Sequence, residues 1–297
     1  MIALVTGANG LVGSRVVARL AAAGEKVVAT GRGPRRGGPS GAEYVELDLQ
    51  RPEALRALIA STRAGAVIHC AAMTDVDACE ADVLQAWTVN VGGTEAAAVG
   101  CREAGARLVA LSTDYVFDGE HGPYTEDDPP NPRSVYARSK RAGEEAALLL
   151  APDCAVARVA VVYSGRRGGK RTFAATASEQ LLAGKEVSAF QDQVISPTLA
   201  DNAAEMVIGL CRSGQRGIWH CAGASIVSRV EFCRALARKL GADESLVRPV
   251  LLASLKLPAF RPAHCGLDVT RIRRLLGAQV PLELDAALDR FLAERAA

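Results

Sequence analysis

The sequence predicts an α/β fold, a doubly wound parallel sheet of the Rossmann type with a smaller C-terminal substrate lobe. Three observations carry that expectation. Apolar runs of strand length alternate with helical patterns through six rounds between Ile2 and Val162, which is the signature of a parallel sheet covered on both faces. A glycine turn, Gly7-Ala8-Asn9-Gly10-Leu11-Val12-Gly13, stands between the first strand and the first helix. The 297 residues are 49% hydrophobic and 23% charged, enough to build one large domain or a core domain with a lobe.

The first strand runs from Ile2 to Thr6, and Leu11, Val12, Val16 and Leu20 then recur on one helical face up to Gly24. Glycines at this junction let a pyrophosphate approach backbone N–H groups at a helix N-terminus. Gly7, Asn9, Gly10, Leu11, Val12 and Gly13 are therefore the candidate cofactor contacts. Lys26 to Thr30 forms the second strand. An acid just beyond it would accept the adenosine ribose 2′-OH of NAD, whereas an arginine suits a 2′-phosphate. Here stand Gly31-Arg32, then Arg35 and Arg36, with no acid between residues 26 and 42. NADP(H) is the cofactor this favours, with Arg32 as its reader; the same composition also fits a solvated loop.

Tyr44 to Leu47 gives a third strand, Pro52 to Thr62 a helix and Ala66 to His69 a fourth strand. Ala71 and Ala72 follow, small enough to let a cofactor come close to the backbone, while His69 reads as a packed structural histidine. A helical stretch from about Ala81 to Ala104 carries Asn90 in its middle. Asparagine is a poor helix former, so Asn90 is expected to hydrogen-bond toward the site. Arg107 to Leu111 is a buried strand that delivers Ser112, read as structural, and Thr113 to its carboxyl end, where open α/β sheets hold their ligands.

Ser134 is placed to cap a helix on which Tyr136 and Lys140 share one face. A ketone gaining hydride becomes an alkoxide, so a site that reduces one needs a proton and stabilisation of negative charge. Tyr136 is the candidate proton donor and Thr113 the hydroxyl that orients the carbonyl oxygen. Lys140 is expected to favour the phenolate of Tyr136, whose ordinary pKa is about 10.

A sixth strand covers Ala155 to Val162, after which the alternation breaks. The stretch Ser164 to Arg171 holds Arg166, Arg167, Lys170 and Arg171; it reads either as a clamp on a substrate diphosphate, with Arg171 a candidate contact, or as a solvated loop. Helices near Pro197 to Cys211 and Arg229 to Leu240, a strand at Gly217 to His220, and terminal helices from Val269 and Leu284 complete the chain. The expected division is a dinucleotide-binding domain over 1–163, with about 186–222 returning to it, and a substrate lobe mainly over 164–297.

A net charge of only +2 gives no global field for nucleic acid or a membrane surface. Eight cysteines show no CxxC pair and no zinc spacing, so they read as buried reduced thiols and no metal is expected. No run of about 18 apolar residues occurs, and a strand beginning at Ile2 leaves no room for a secretory leader, so the expected location is the cytoplasm.

The residues resemble the extended short-chain dehydrogenase/reductase superfamily and, within it, the dTDP-4-dehydrorhamnose reductase family. The resemblance rests on Thr6 to Gly13, Ala71-Ala72-Met73-Thr74-Asp75-Val76-Asp77-Ala78-Cys79-Glu80, Val89-Asn90, Ser112-Thr113-Asp114-Tyr115-Val116-Phe117-Asp118-Gly119, Tyr136-Ala137-Arg138-Ser139-Lys140, Ser196-Pro197-Thr198 and Arg261-Pro262. It implies NADPH-dependent reduction of a nucleotide-linked 4-keto-6-deoxy sugar. It also implies adenine contacts at Asp48 and Leu49, a ribose contact from Lys140, and substrate contacts from Thr74, Tyr115 and Arg261. The partners expected are a nucleotide sugar and, for assembly, a second copy of the chain as a homodimer. Two departures fall on substrate recognition: Arg261-Pro262 continues as Ala263-His264-Cys265-Gly266 rather than Asn-Ser, and Val161 stands where the best-known members have an aromatic. Other readings are a sugar-nucleotide epimerase, or a non-catalytic NADP-binding regulatory subunit similar to the β subunit of methionine adenosyltransferase.

Overall fold

The structure, a computed structural model, describes residues 2–36, 41–166 and 171–296. Its first half alternates as expected: β1 (Ile2–Thr6), α1 (Leu11–Ala22), β2 (Lys26–Gly31), β3 (Glu43–Glu46), α2 (Pro52–Thr62), β4 (Ala66–His69), α3 (Val76–Ala81), α4 (Val83–Trp87), α5 (Gly93–Ala104), β5 (Arg107–Thr113), α6 (Val135–Leu150) and β6 (Cys154–Val159). Then come β7 (Val162–Tyr163), α7 (Phe173–Leu182), β8 (Val187–Phe190), β9 (Val194–Ile195), β10 (Thr198–Leu199), α8 (Ala200–Ser213) and β11 (Gly217–His220). The chain closes with β12 (Val227–Ser228), α9 (Arg229–Leu240), β13 (Val247–Val250), β14 (His264–Cys265), α10 (Thr270–Leu276) and α11 (Leu284–Ala296).

Seven of these strands form one parallel sheet in the order β11-β6-β5-β4-β1-β2-β3. Strand order reverses between β4 and β1, which opens a crevice at their carboxyl ends. Both faces are covered, so the strands are near-continuous in burial. Val5, Val109 and Ala155 pack on one face with Val16 of α1 and Met206 of α8, and Leu4, Val67 and Leu108 on the other with Leu55, Cys101 and Ala147. A third apolar cluster, around Tyr163, Phe232, Leu236 and Phe291, holds the C-terminal lobe together.

Three local departures from expectation matter for the site. The helical stretch around Asn90 is not one helix: α4 and α5 are joined by a π-helical segment, Thr88–Gly92, an irregularity that proteins concentrate near functional sites. The expected strand Ala155 to Val162 is cut after Val159, and Val161 adopts φ of 37°. A β-branched residue at positive φ is strained, and the kink turns β7 out of the central sheet to pair with β10 in the lobe. Finally, β11 returns to the central sheet beside β6, carried there by α8, which packs on α1.

Candidate active site

The crevice at the strand ends is a cleft of about 770 Å³. One side is built by the glycine turn. Gly7 sits at φ of 66°, and a Cβ there would meet the Ala71 backbone nitrogen at 2.7 Å; one on Gly13 would meet the Gly7 carbonyl oxygen at 2.3 Å. Both glycines are thus required for β1, β4 and α1 to converge. Gly10 is the N-cap of α1 and offers no side-chain cap, so the first N–H groups of the helix stay open toward the cleft. An anionic pyrophosphate suits such a helix end.

Gly7, Asn9, Gly10, Leu11, Val12 and Gly13 all line the cleft, as do Arg32, Asp48, Leu49, Ala71 and Ala72. Asn9 also shapes the arginine loop. Its amide donates to Arg32 O at 3.2 Å and Pro34 O at 3.1 Å, and its oxygen accepts from Arg36 N at 2.9 Å. Arg36 joins Arg32 on the cleft wall, whereas Arg35 is turned to Ala42 O. The Asp48 carboxylate accepts from Gln50 N, so it braces the turn before α2 while lining the cleft.

The opposite side carries the reacting groups. Ser134 caps α6 by accepting from Ala137 N at 3.2 Å, and the helix brings Tyr136 and Lys140 to the cleft. Thr113, at the end of β5, is hydrogen-bonded to the Tyr136 phenol, and its hydroxyl donates to Asp114 Oδ1 at 3.0 Å. Tyr115 meets the Tyr136 ring edge-on, centroids 6.1 Å apart. Thr74 is exposed on the cleft rim, and Ser112 lines the floor.

The electrostatics correct one expectation. Lys140 was expected to draw the Tyr136 phenol down, whereas burial pushes that phenol above its ordinary value. The Lys140 ammonium instead donates to Leu111 O at 2.7 Å, and burial pulls its own pKa to about 8, against the opposing field of Glu144. Tyr136 is consequently protonated at neutral pH, which is the form that can give a proton to a developing alkoxide. Asp114 is almost wholly buried, with Oδ2 unpartnered, and burial raises its carboxyl to about 7.

Behind the pair lies a buried ionic brace. Glu144, one turn beyond Lys140 on α6, accepts from Arg158 Nε and Nη2, both at 2.8 Å, and Arg141 adds a third contact at 3.0 Å. Arg158 lies over the Phe117 ring, 5.0 Å from its centroid. His69 is packed as expected, its Nδ1 2.9 Å from Thr6 Oγ1.

Three expected contacts lie elsewhere. Asn90 is fully buried and does not line the cleft. Its amide clamps Met73 and Ser139, accepting from Met73 N at 2.8 Å and donating to Ser139 Oγ at 2.9 Å, so it ties the β4 loop to the helix of Tyr136. Arg171 is exposed and paired with Glu179, and Arg166 is exposed and does not line the cleft; Arg167 and Lys170 lie outside the described residues. Arg261 does not line the cleft but bridges to Asp77 at 2.8 Å, with Ala259 N donating to the same carboxylate at 3.0 Å. In its place the lobe presents Arg229, which sequence reading passed over. The local signal that could have found it is the Ser228-x-x-Glu231 capping box, which sets Arg229 at the start of α9. The eight cysteines are free, and among the described residues no cluster of His, Cys, Asp and Glu is built to hold a metal ion. No described helix is long and apolar enough to cross a membrane.

A tyrosine and a lysine one helical turn apart, facing a glycine turn across the ends of a parallel sheet, define the class: a short-chain dehydrogenase/reductase of the extended type. Comparison with known proteins narrows it. The chain belongs to the family described as RmlD substrate binding domain, which matches residues 1–296. It is 37% identical over 271 residues to a dTDP-4-dehydrorhamnose reductase of Mycobacterium tuberculosis, covering 89% of this chain and 84% of that one. Among solved structures it superposes on a dTDP-4-dehydrorhamnose reductase of Clostridium acetobutylicum with a TM-score of 0.85 at 28% identity, all of both chains covered. A Bacillus anthracis dTDP-4-dehydrorhamnose reductase in complex with NADP gives 0.83 at 26%, with 99% of each chain covered.

Proposed function

We propose that the chain is an NADPH-dependent reductase of a nucleotide-linked 4-keto-6-deoxy sugar, of the dTDP-4-dehydrorhamnose reductase kind. The observation that carries the reading is the convergence of Thr113, Tyr136 and Lys140 on the cleft whose other side is the glycine turn. When bound, NADPH supplies the hydride. The open N–H groups of α1 would hold its pyrophosphate and Arg32, with Arg36, its 2′-phosphate. Asp48 and Leu49 would contact its adenine, Ala71 and Ala72 are small enough to admit it, and Lys140 would bond the nicotinamide ribose.

Thr113 orients the substrate carbonyl oxygen, and Tyr136 donates its phenolic proton to that oxygen as negative charge develops on it. Thr74 and Tyr115 contact the sugar. Residues 1–163, with α8 and β11, serve the cofactor, and the remaining C-terminal segments serve the substrate. Leu84 and Trp87 of α4, 79% and 41% exposed, support a homodimer through that face. The modest charge and free thiols suit the cytoplasm.

The test is NADPH oxidation with a panel of dTDP-, UDP- and GDP-linked 4-keto sugars. Oxidation with at least one is expected, and Tyr136→Phe should lower its kcat by about 10²–10⁴-fold with NADPH affinity unchanged. No oxidation across the panel would leave the regulatory-subunit reading standing.

A further inference from the structure

Four described cations line the cleft: Arg32, Arg36, Lys140 and Arg229. The first two stand beyond β2, and the Lys140 ammonium is held against the floor by Leu111 O. Arg229 alone of the four comes from the C-terminal lobe, as the first residue of α9. Its placement is rigid. The backbone N–H donates to Gln193 O at 3.1 Å, Nε donates to Gln193 Oε1 at 2.5 Å, and the guanidinium lies 4.6 Å from the centroid of the Phe173 ring.

What Arg229 lacks is a counter-charge. Arg261, Arg171 and Arg158 are each paired with a carboxylate, Asp77, Glu179 and Glu144 respectively. Among the described residues no carboxylate is within ion-pair distance of Arg229, and neither Nη has a hydrogen-bond acceptor. A partly buried guanidinium without an anion is costly; here burial draws its pKa below the ordinary value. A pre-organised fork with two free Nη groups facing a cleft matches an oxyanion, most specifically the paired oxygens of a phosphate.

The position agrees with the chemistry of a keto-sugar substrate. Arg229 lines the same cleft from the lobe, within the field of Asp114 and Tyr115, while the Thr113–Tyr136 pair that would hold the C4 oxygen stands on the sheet side. A pyranose puts its anomeric carbon across the ring from C4, so a diphosphate on that carbon points from the floor toward the lobe-side wall. We propose that Arg229 is the cation that takes the diphosphate of the nucleotide-linked substrate and so selects it over an unlinked sugar. This rests on the reductase reading above, which leaves that diphosphate no other described lobe-side cation in the cleft.

The test is calorimetric titration of the NADP-loaded enzyme with dTDP, UDP and GDP, none of which needs to be reduced. In Arg229→Met the affinity for the diphosphate that wild type prefers should fall at least tenfold, with NADPH affinity unchanged. Arg229→Lys, which keeps the charge and loses the fork, should fall between. On steady state, Arg229→Met should lose at least tenfold more kcat/KM on the nucleotide-linked keto sugar than on the same sugar unlinked. Unchanged diphosphate affinity in Arg229→Met, an equal loss on linked and unlinked sugars, or no diphosphate binding by wild type would overturn the proposal. Arg229-dependent diphosphate binding without reduction of any keto sugar would overturn the reductase reading and leave this one intact.

Discussion

At the scale of single residues, the cleft is governed by groups that burial has pushed away from their ordinary charge. Asp114 shows the consequence for stability. Its native carboxyl titrates near 7 against an ordinary 3.8, so the folded state keeps a proton that the unfolded chain gives up. That contribution is fully present below about pH 4 and is lost as pH rises through about 7. Asp114→Asn cannot lose it, so the difference in Tm between this variant and wild type should widen by several degrees between pH 5 and pH 8, as differential scanning calorimetry would read. A second residue-scale test concerns the loop that Asn9 holds against the cleft. Arg32→Asp should shift cofactor preference from NADPH toward NADH by at least tenfold in kcat/KM, because an acid there accepts a ribose 2′-OH and repels a 2′-phosphate. An unchanged preference would assign the 2′-phosphate to Arg36.

At the scale of elements, the alignment of α6 on β5 and β6 decides where Tyr136 and Lys140 stand. Ser112 and Arg158 are register partners on those two strands, and Glu144 of α6 reaches Arg158 with both oxygens. Arg158 and Glu144 are 0% and 2% exposed. Removing one partner strands the other's charge in the interior, so Glu144→Gln should cost about 3–5 kcal/mol, read as a fall in the urea midpoint. Removing both as Glu144→Met with Arg158→Met should recover most of that loss, because the desolvation penalty goes with the pair. Asn90 acts similarly from the π-helical segment between α4 and α5, clamping Met73 and Ser139 so that the β4 loop and α6 frame one cleft.

At the scale of the whole molecule, two of the seven sheet strands, β4 and β11, end in buried histidines. Burial holds His69 near 3 and His220 near 4, helped by the charges of Lys140 and Arg158. The unfolded chain takes up protons on these rings below about pH 6.5 while the native sheet does not, so stability falls as pH drops through that range. The slope is limited to about 1.4 kcal/mol per pH unit for each ring. In an Asp114→Asn background, which removes the opposing carboxyl contribution, the urea midpoint should therefore decline between pH 7 and pH 5, and His220→Gln should remove a substantial part of that decline.

The glycine turn, the Ser134 cap and the Tyr136–Lys140 spacing were legible in the amino-acid sequence because each is local. A φ of 66°, a cap three residues from its partner and a one-turn separation on a helix depend only on near neighbours. The parallel, doubly wound class followed from the same local alternation of strand and helix. What tertiary structure alone decided was which distant charges meet. Arg261 found Asp77 and Arg171 found Glu179, Asn90 turned inward, and Arg229 was left facing the cleft unpaired. Each of those outcomes depends on contacts between residues far apart in the chain, whose energies are set by desolvation once the lobe folds onto the sheet, and no window of sequence contains that term.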